Sequence, residues 1–120
     1  MGTRRLIAGT ETGLLRVVDV ERPRETRLVR TTQQDRKRGV LALAWASTES
    51  FVCARKNGDL ERWEESTGES AFEDDAWELR SVRRLVGECA GLASTDARVV
   101  SCSDDGRLQV WGEDDDARDL

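Results

Sequence analysis

Residues 99–112 read Val99-Val-Ser-Cys-Ser-Asp-Asp-Gly106-Arg-Leu-Gln-Val-Trp111-Gly112. A short apolar run enters an Asp-Gly pair, and a run that alternates apolar with polar residues leaves it. Asp-Gly is a strong hairpin-turn signal because the positive-φ positions of such turns tolerate Asn, Asp and Gly. The segment therefore predicts a β-hairpin in which the Asp105 side chain caps backbone groups of the turn.

The same pattern occurs twice more in this chain of 120 residues, at 6–19 and 51–64, and the three segments align without gaps. The turn glycine recurs at spacings of 45 and 48 residues, and an apolar residue follows it by five positions. A period of about 45 residues is typical of one propeller blade, a unit of four antiparallel strands. We therefore interpret the following as structural repeat positions: Gly13, Gly58, Gly106, Trp63 and Trp111.

Strand candidates around the three hairpins predict an all-β fold, an incomplete β-propeller arc of about two and a half four-stranded antiparallel blades. The predicted segments are strands b–d of blade 1 (1–30), blade 2 (40–72), an acidic and arginine-rich connection (73–88), strands a–c of blade 3 (89–112) and an acidic tail (113–120). Residues 77–86 are the one stretch that favours a turn or two of helix. Because propellers have roughly 4–8 blades, we expect an N-terminal fragment of a longer protein, with closure by several copies as the alternative.

Composition excludes several classes of function. The chain has no histidine, which removes Ser-His-Asp and Cys-His catalysis and zinc sites that contain histidine. Three cysteines, Cys53, Cys89 and Cys102, form neither an even disulfide set nor a CxxC pair and indicate a reducing, intracellular compartment. A net charge of −5 excludes a uniformly basic nucleic-acid binder, and no apolar run is long enough to cross a membrane. We predict no catalytic residue, no metal site and no cofactor.

The hairpins resemble WD40 repeats. Residues 104–111, Asp-Asp-Gly-Arg-Leu-Gln-Val-Trp, resemble the end of such a repeat closely, although the dipeptide that names the family is altered to Val18-Asp19, Trp63-Glu64 and Trp111-Gly112. The family's His/Ser/Asp/Trp tetrad is incomplete here because histidine is absent. We therefore expect blades that are held mainly by apolar packing and by the hydrogen bonds between strands.

A narrower resemblance points to the WD repeat-containing protein 74 family, and it extends over most of the chain. It is carried by Gly9-Thr-Glu-Thr-Gly13-Leu-Leu, by Leu43-Ala-Trp45, and by Gly91-Leu-Ala93 through Val110-Trp111 with the acidic run that follows. The resemblance implies a non-catalytic scaffold for ribosome biogenesis and rRNA processing, located in the nucleus and nucleolus. Its implied partners are pre-ribosomal assembly factors and an AAA-type ATPase, with no small-molecule substrate and no membrane.

Two other classes of function stay open at this point. A WD-repeat adaptor without a ribosomal role is the first alternative, and it includes completion of the ring by oligomerisation. A small enzyme that uses the carboxylates of 73–75 or 114–116 is the second. We interpret both acidic runs as solvated loop segments, because neither has a partner at ligand spacing.

Charge placement identifies one candidate interaction patch: Arg36, Lys37, Arg38, Arg55 and Lys56. In a WD-type blade the connections that carry these residues emerge at one end, whereas Glu64, Glu65 and the acidic tail lie at the other. We expect the patch to contact rRNA phosphates or an acidic protein surface, with solvated side chains as the alternative. Trp77 lies in an irregular acidic stretch, where it either packs in the core or is exposed as an anchor for a partner.

Overall fold

The computed structural model describes residues 5–21, 24, 27–29, 36–66, 77–85, 87–95, 98–111 and 117–119. These residues form eleven strands: β1 Arg5–Gly9, β2 Leu15–Asp19, β3 Arg27–Val29, β4 Val40–Ser47, β5 Ser50–Arg55, β6 Asp59–Glu65, β7 Trp77–Arg84, β8 Cys89–Thr95, β9 Arg98–Ser103, β10 Leu108–Trp111 and β11 Ala117–Asp119. The strands build three antiparallel sheets in consecutive order, namely β1–β3 (blade 1), β4–β7 (blade 2) and β8–β11 (blade 3). A 3₁₀ turn, Arg36–Arg38, precedes β4. The predicted all-β arc of propeller blades is confirmed.

Each predicted hairpin forms around its turn glycine. The paired strands are β1 with β2, β5 with β6, and β9 with β10, each in an uninterrupted register. Gly13, Gly58 and Gly106 adopt φ of 95°, 95° and 87°, a region that L side chains rarely enter. The sequence requires glycine at these turns because only a residue without a Cβ enters this region at no steric cost.

The connection predicted over 73–88 is wrong for its second half, which forms β7, the fourth strand of blade 2. It pairs with β6 from Glu65↔Trp77 to Asp59↔Arg84, and the register shifts between Arg62 and Trp63. That irregularity interrupts the two-residue alternation, and most of the strand is solvent-exposed, so the sequence lacks a strand signal there. Residues 67–72, the end of the segment predicted as blade 2, lie outside the described residues.

The acidic tail predicted over 113–120 also contributes a strand. Residues Ala117–Asp119 form β11 and pair with β10 from Trp111↔Ala117 to Gln109↔Asp119. Strand pairing uses backbone groups, which every residue type has, so a segment of polar residues can form an edge strand without a hydrophobic pattern in its sequence. Blade 3 therefore has four strands where the sequence predicted three.

Blade 2 lies between two apolar cores because both of its faces are covered. Phe51, Cys53 and Trp63 face blade 1, whereas the alternate residues Val52 and Ala54 face blade 3. All six residues of β5 are buried as a result. The two cores hold the turns at the ends of neighbouring blades in fixed positions.

An aromatic cluster forms much of the core between blades 1 and 2. The Phe51 ring centroid lies 5.9 Å from that of Trp45, 6.5 Å from that of Trp63 and 5.2 Å from that of Trp77. Trp77 is only 4% exposed, which excludes its role as an exposed anchor and confirms the interpretation as a core residue. Its indole anchors the first residue of β7 against the sheet.

Candidate interaction surface

The predicted patch lies where three segments meet at one end of blades 1 and 2. These segments are the turn of blade 1, the 3₁₀ turn with Gly39, and the turn of blade 2. The Lys56 N–H donates to the Gly39 carbonyl at 2.8 Å, and the Val40 N–H donates to the Thr10 carbonyl at 3.0 Å. These backbone hydrogen bonds fix the positions of the patch residues relative to one another.

Arg55 is not a surface residue, and its assignment to the patch was wrong. Its side chain is only 1% exposed, and its Nη1 donates to the carbonyls of Gly13 at 2.9 Å and Arg38 at 2.8 Å. The alternation along β5 places Arg55 on the same side as Phe51 and Cys53, toward blade 1. The guanidinium therefore joins the turn of blade 1 to the connection that follows it.

Glu61 is the buried counterion of this guanidinium. The Arg55 Nε lies 2.8 Å from Glu61 Oε2, and Arg38 Nη2 donates to the same oxygen at 3.0 Å. The other carboxylate oxygen, Oε1, accepts a hydrogen bond from Trp63 Nε1 at 3.0 Å. We call Arg38, Arg55, Glu61 and Trp63 the charged network.

The charged network adds buried ionic contacts to the apolar packing and strand hydrogen bonds that were expected to be the main forces holding the blades. In blade 3 the equivalent tryptophan, Trp111, donates to Ser101 Oγ at 3.1 Å. Cys53 occupies the Ser101 position in blade 2, and Trp63 uses Glu61 as its acceptor instead. A sequence signal existed, because Arg55 and Glu61 are opposite charges at inward-facing positions of two adjacent strands. Burial of such a pair carries a desolvation cost that its mutual attraction and hydrogen bonds must offset.

Three cations of the predicted patch remain on the surface, and we call Arg36, Lys37 and Lys56 the cation group. All three are exposed, in contrast to the buried Arg55 and the half-buried Arg38. The network fixes the carbonyl and the guanidinium of Arg38, directly after Lys37, and the hydrogen bond from Lys56 fixes the neighbouring turn. The structure thus brings the three cations to one end of the molecule.

The same end becomes acidic toward blade 3. Asp104, Asp105 and Glu88 are exposed there. As predicted, Asp105 caps its turn: Oδ1 accepts from the Arg107 N–H at 3.2 Å and also from the Ser103 hydroxyl. The Ser103 hydrogen bond lowers the pKa of the Asp105 carboxyl, which stays ionised. The surface is therefore basic at the boundary of blades 1 and 2 and acidic at the turn of blade 3.

The opposite end combines carboxylates with one well-anchored cation. Arg5 forms an ion pair with Glu65, and its guanidinium lies 5.6 Å from the ring centroid of Trp45 and 5.4 Å from that of Trp77. Arg5 therefore has a structural role, through its ion pair and its contacts with the two tryptophan rings, and the sequence analysis did not identify it. Residues 113–116 of the predicted acidic tail lie outside the described residues, so the acidic character of this end stays a prediction.

Comparison with known proteins identifies the repeat. WD repeat-containing protein 74 of Bos taurus is 32% identical to the chain over 111 residues, which cover 89% of this chain and 27% of that protein. The chain is a WD40-repeat β-propeller chain. No family model matches it. The WD40-repeat chain spans about a quarter of the length of the curated relatives that it matches, and the counterpart from Mus musculus is also 32% identical over 111 residues.

Solved WD40 propellers share the fold of this WD40-repeat chain. Sqt1 of Saccharomyces cerevisiae superposes with a TM-score of 0.71 at 12% identity, covering 95% of this chain and 29% of that protein. The β-propeller domain of Cps50 (Swd1) from Myceliophteria thermophila gives a TM-score of 0.71 at 11% identity, covering 100% and 36%. At such low identity the likeness concerns the arrangement of blades.

Two cysteines of the WD40-repeat chain, Cys53 and Cys89, are buried in the fold. Burial raises the pKa of the Cys53 thiol to about 12 and also raises that of Cys89, so both thiols are protonated at neutral pH. Within the described residues, no group of three or more Cys, Asp or Glu is arranged to hold a metal ion. In the same described part of the chain, no helix is long and apolar enough to cross a membrane.

Proposed function

We propose that the chain acts as part of a non-catalytic WD-repeat scaffold that docks on precursors of the large ribosomal subunit. The 32% identity to WD repeat-containing protein 74, over 89% of the chain, is the observation that carries the proposal. The family resemblance supplies its setting, namely the nucleus and nucleolus, pre-ribosomal protein partners and release by an AAA-type ATPase. WD-repeat propellers generally bind proteins, which agrees with a scaffold.

The cation group is the proposed contact with the particle. Arg36, Lys37 and Lys56 are exposed on neighbouring segments that backbone hydrogen bonds and the charged network hold in place. Lysine and arginine side chains that neutralise phosphates release condensed counterions, so such a contact weakens steeply with salt. The group is small, and we propose that it contributes a local contact with rRNA phosphates while protein partners supply the rest of the affinity.

Sedimentation with purified large-subunit precursor particles tests the proposal. The wild-type chain is expected to move with the particles at low salt and to dissociate as salt rises. The variant R36E/K37E/K56E is expected to remain at the top of the gradient. A matched control, R16E/R80E/R98E, reverses three exposed arginines on other surfaces and changes the net charge equally; it should still sediment with the particles.

Two results would contradict the proposal in different ways. Failure of the wild-type chain to bind particles at low salt removes the ribosomal role and leaves a general WD-repeat adaptor. Equal binding by the cation-group variant and the wild type removes the phosphate contact. Circular dichroism of each variant checks that the sheets are intact, since all six substituted side chains are exposed.

A further inference from the structure

Strand β7 is the outer strand of blade 2 and presents an open edge. In the described sheet it has one neighbour, β6, although blade 2 has another blade on each of its faces. The Leu85 N–H, directly after β7, donates to the Gly58 carbonyl at 2.7 Å and therefore points toward β6. Backbone groups alternate in direction along a strand, so the N–H and C=O groups of Val82 and Arg84 point away from β6. These groups lie where a further strand would pair.

The side of β7 that faces blade 1 is apolar and exposed. Leu79 pairs with Trp63, which packs toward blade 1. Val82 pairs with Glu61, two residues before Trp63 and on the same side of β6. The Leu79 and Val82 side chains are 44% and 48% exposed. A strand added to this edge would therefore bury more apolar surface if it placed apolar side chains on this side.

The side of β7 that faces blade 3 is cationic. Ser81 and Arg83 line a recess between blades 2 and 3, together with Arg62 of β6. Among the described residues that line this recess there is no carboxylate. Its floor is formed by apolar side chains of both blades, namely Val52, Leu60, Val99 and Trp111. A strand added to the edge would meet two arginines on this side.

We propose that the β7 edge binds an extended peptide of a protein partner, in which apolar residues alternate with acidic residues. The peptide adds to the four-stranded sheet of blade 2 as a fifth strand, through backbone hydrogen bonds with Val82 and Arg84. Successive side chains of a strand point to opposite faces. The apolar residues of the peptide cover Leu79 and Val82, and its carboxylates face Arg62 and Arg83.

Charge favours an acidic partner over a second copy of this chain. Strand β7 carries three arginines and one glutamate, and like charges that face each other across two paired strands are destabilising. Arg80 lies 3.0 Å from Glu64 and 3.8 Å from Glu78 and does not line the recess, so Arg83 is the arginine to substitute. The inference concerns protein binding and does not depend on the proposed ribosomal role.

Fluorescence anisotropy with a labelled synthetic peptide tests the site. The peptide has eight residues, the length of β7, and alternates valine with glutamate. The wild-type chain should bind it at least about tenfold more tightly than a peptide of the same composition in which all valines precede all glutamates. R83E should weaken binding of the alternating peptide by roughly tenfold and should bind a valine–lysine peptide more tightly than the wild type does. R16E, which reverses an exposed arginine of blade 1, should leave both affinities unchanged.

Hydrogen exchange of single amides distinguishes strand addition from a contact made by side chains alone. In the free chain the amide hydrogens of Val82 and Arg84 should exchange faster than that of Arg83, and saturation with the alternating peptide should protect them. V82S should weaken binding roughly fivefold, because it removes apolar surface that the peptide covers. V20S is the matched control, because Val20 is also 48% exposed, and it should bind as the wild type does.

Several results would overturn the proposal. A wild-type chain that binds the alternating and the blocked peptides equally lacks a site that recognises a strand. Binding that leaves the Val82 and Arg84 amides unprotected, or that R83E does not weaken, does not use this edge. Self-association of the wild type that V82S removes would make a second copy the occupant. Failure of the chain to sediment with precursor particles would leave this inference intact, because the peptide assay contains no RNA.

Discussion

Replacing Glu61 with glutamine is the most informative perturbation of the charged network. The substitution keeps the shape of the side chain and leaves an acceptor for Trp63 Nε1, but it removes the charge that Arg55 faces at 2.8 Å. Arg55 is only 1% exposed, so its charge becomes uncompensated in the core. The half-buried Arg38 loses the same partner.

Breaking a buried ion pair by removing one partner costs about 3–5 kcal/mol. The remaining hydrogen bonds of Arg55 to the carbonyls of Gly13 and Arg38 retain part of its stabilisation, so we expect about 3 kcal/mol. The matched control is E64Q, which makes the same change three residues further along β6. Arg80 Nε lies 3.0 Å from Glu64 Oε2, but the Glu64 side chain is 39% exposed. An exposed ion pair contributes about 0–1 kcal/mol to stability.

Urea unfolding followed by tryptophan fluorescence measures both variants, because Trp63, Trp77 and Trp111 are all buried in the fold. With a urea dependence of about 1.5 kcal/mol per molar, E61Q should lower the unfolding midpoint by roughly 2 M. E64Q should lower it by less than about 0.7 M. Equal shifts for the two variants would refute the reasoning, since burial is what separates the two carboxylates.

Three further outcomes follow from the turns and the thiols. In urea unfolding, Gly13→Ala should lower the free energy of unfolding by about 1 kcal/mol more than Gly106→Ala. Both glycines have positive φ, so both substitutions strain the backbone. A Cβ at Gly13 would also lie 3.0 Å from the Arg38 carbonyl oxygen, whereas a Cβ at Gly106 would meet nothing within 4 Å. Ser103→Ala should raise the pKa of Asp105 in a carboxyl NMR titration, because it removes the main cause of the lowered pKa. The lowered pKa stabilises the folded chain at pH values above the pKa of Asp105 in the unfolded chain, and this stabilisation is lost as the pH falls through its pKa in the folded chain. Alkylation of Cys53 at pH 8, read by mass spectrometry, should require unfolding, because its pKa of about 12 leaves it roughly a thousandfold less ionised than at the ordinary value of 9.0.

The hairpins were predictable from sequence because their signals are local. A turn glycine with its flanking alternation contains the information for two paired strands, and three copies in phase fix the blade period. Strand β7 was not predictable in the same way. Its pairing depends on an irregular register at Arg62 and Trp63, which no pattern within 77–84 reports.

At the candidate surface, too, the features that depend on local sequence were predictable, and those that depend on tertiary contacts were not. The exposed Arg36, Lys37 and Lys56 were found because connections lie on the surface. Arg55 was misplaced because its burial depends on a counterion from the next strand and on carbonyls from blade 1. A side chain that alternation places inward, with an opposite charge inward on the adjacent strand, is the pattern to examine for such buried pairs.

The hydrogen of Arg55 Nε tests most directly whether a buried charged network joins blades 1 and 2. In a ¹⁵N–¹H spectrum, the Arg55 Nε–H should give a resolved signal that exchanges slowly with solvent, because Arg55 is buried and its Nε lies 2.8 Å from Glu61 Oε2. In E61Q the slowly exchanging signal should be lost, because the counterion that holds the guanidinium in the core is gone. Rapid exchange of the Arg55 Nε–H in the folded wild-type chain, as for an exposed arginine, would contradict the network.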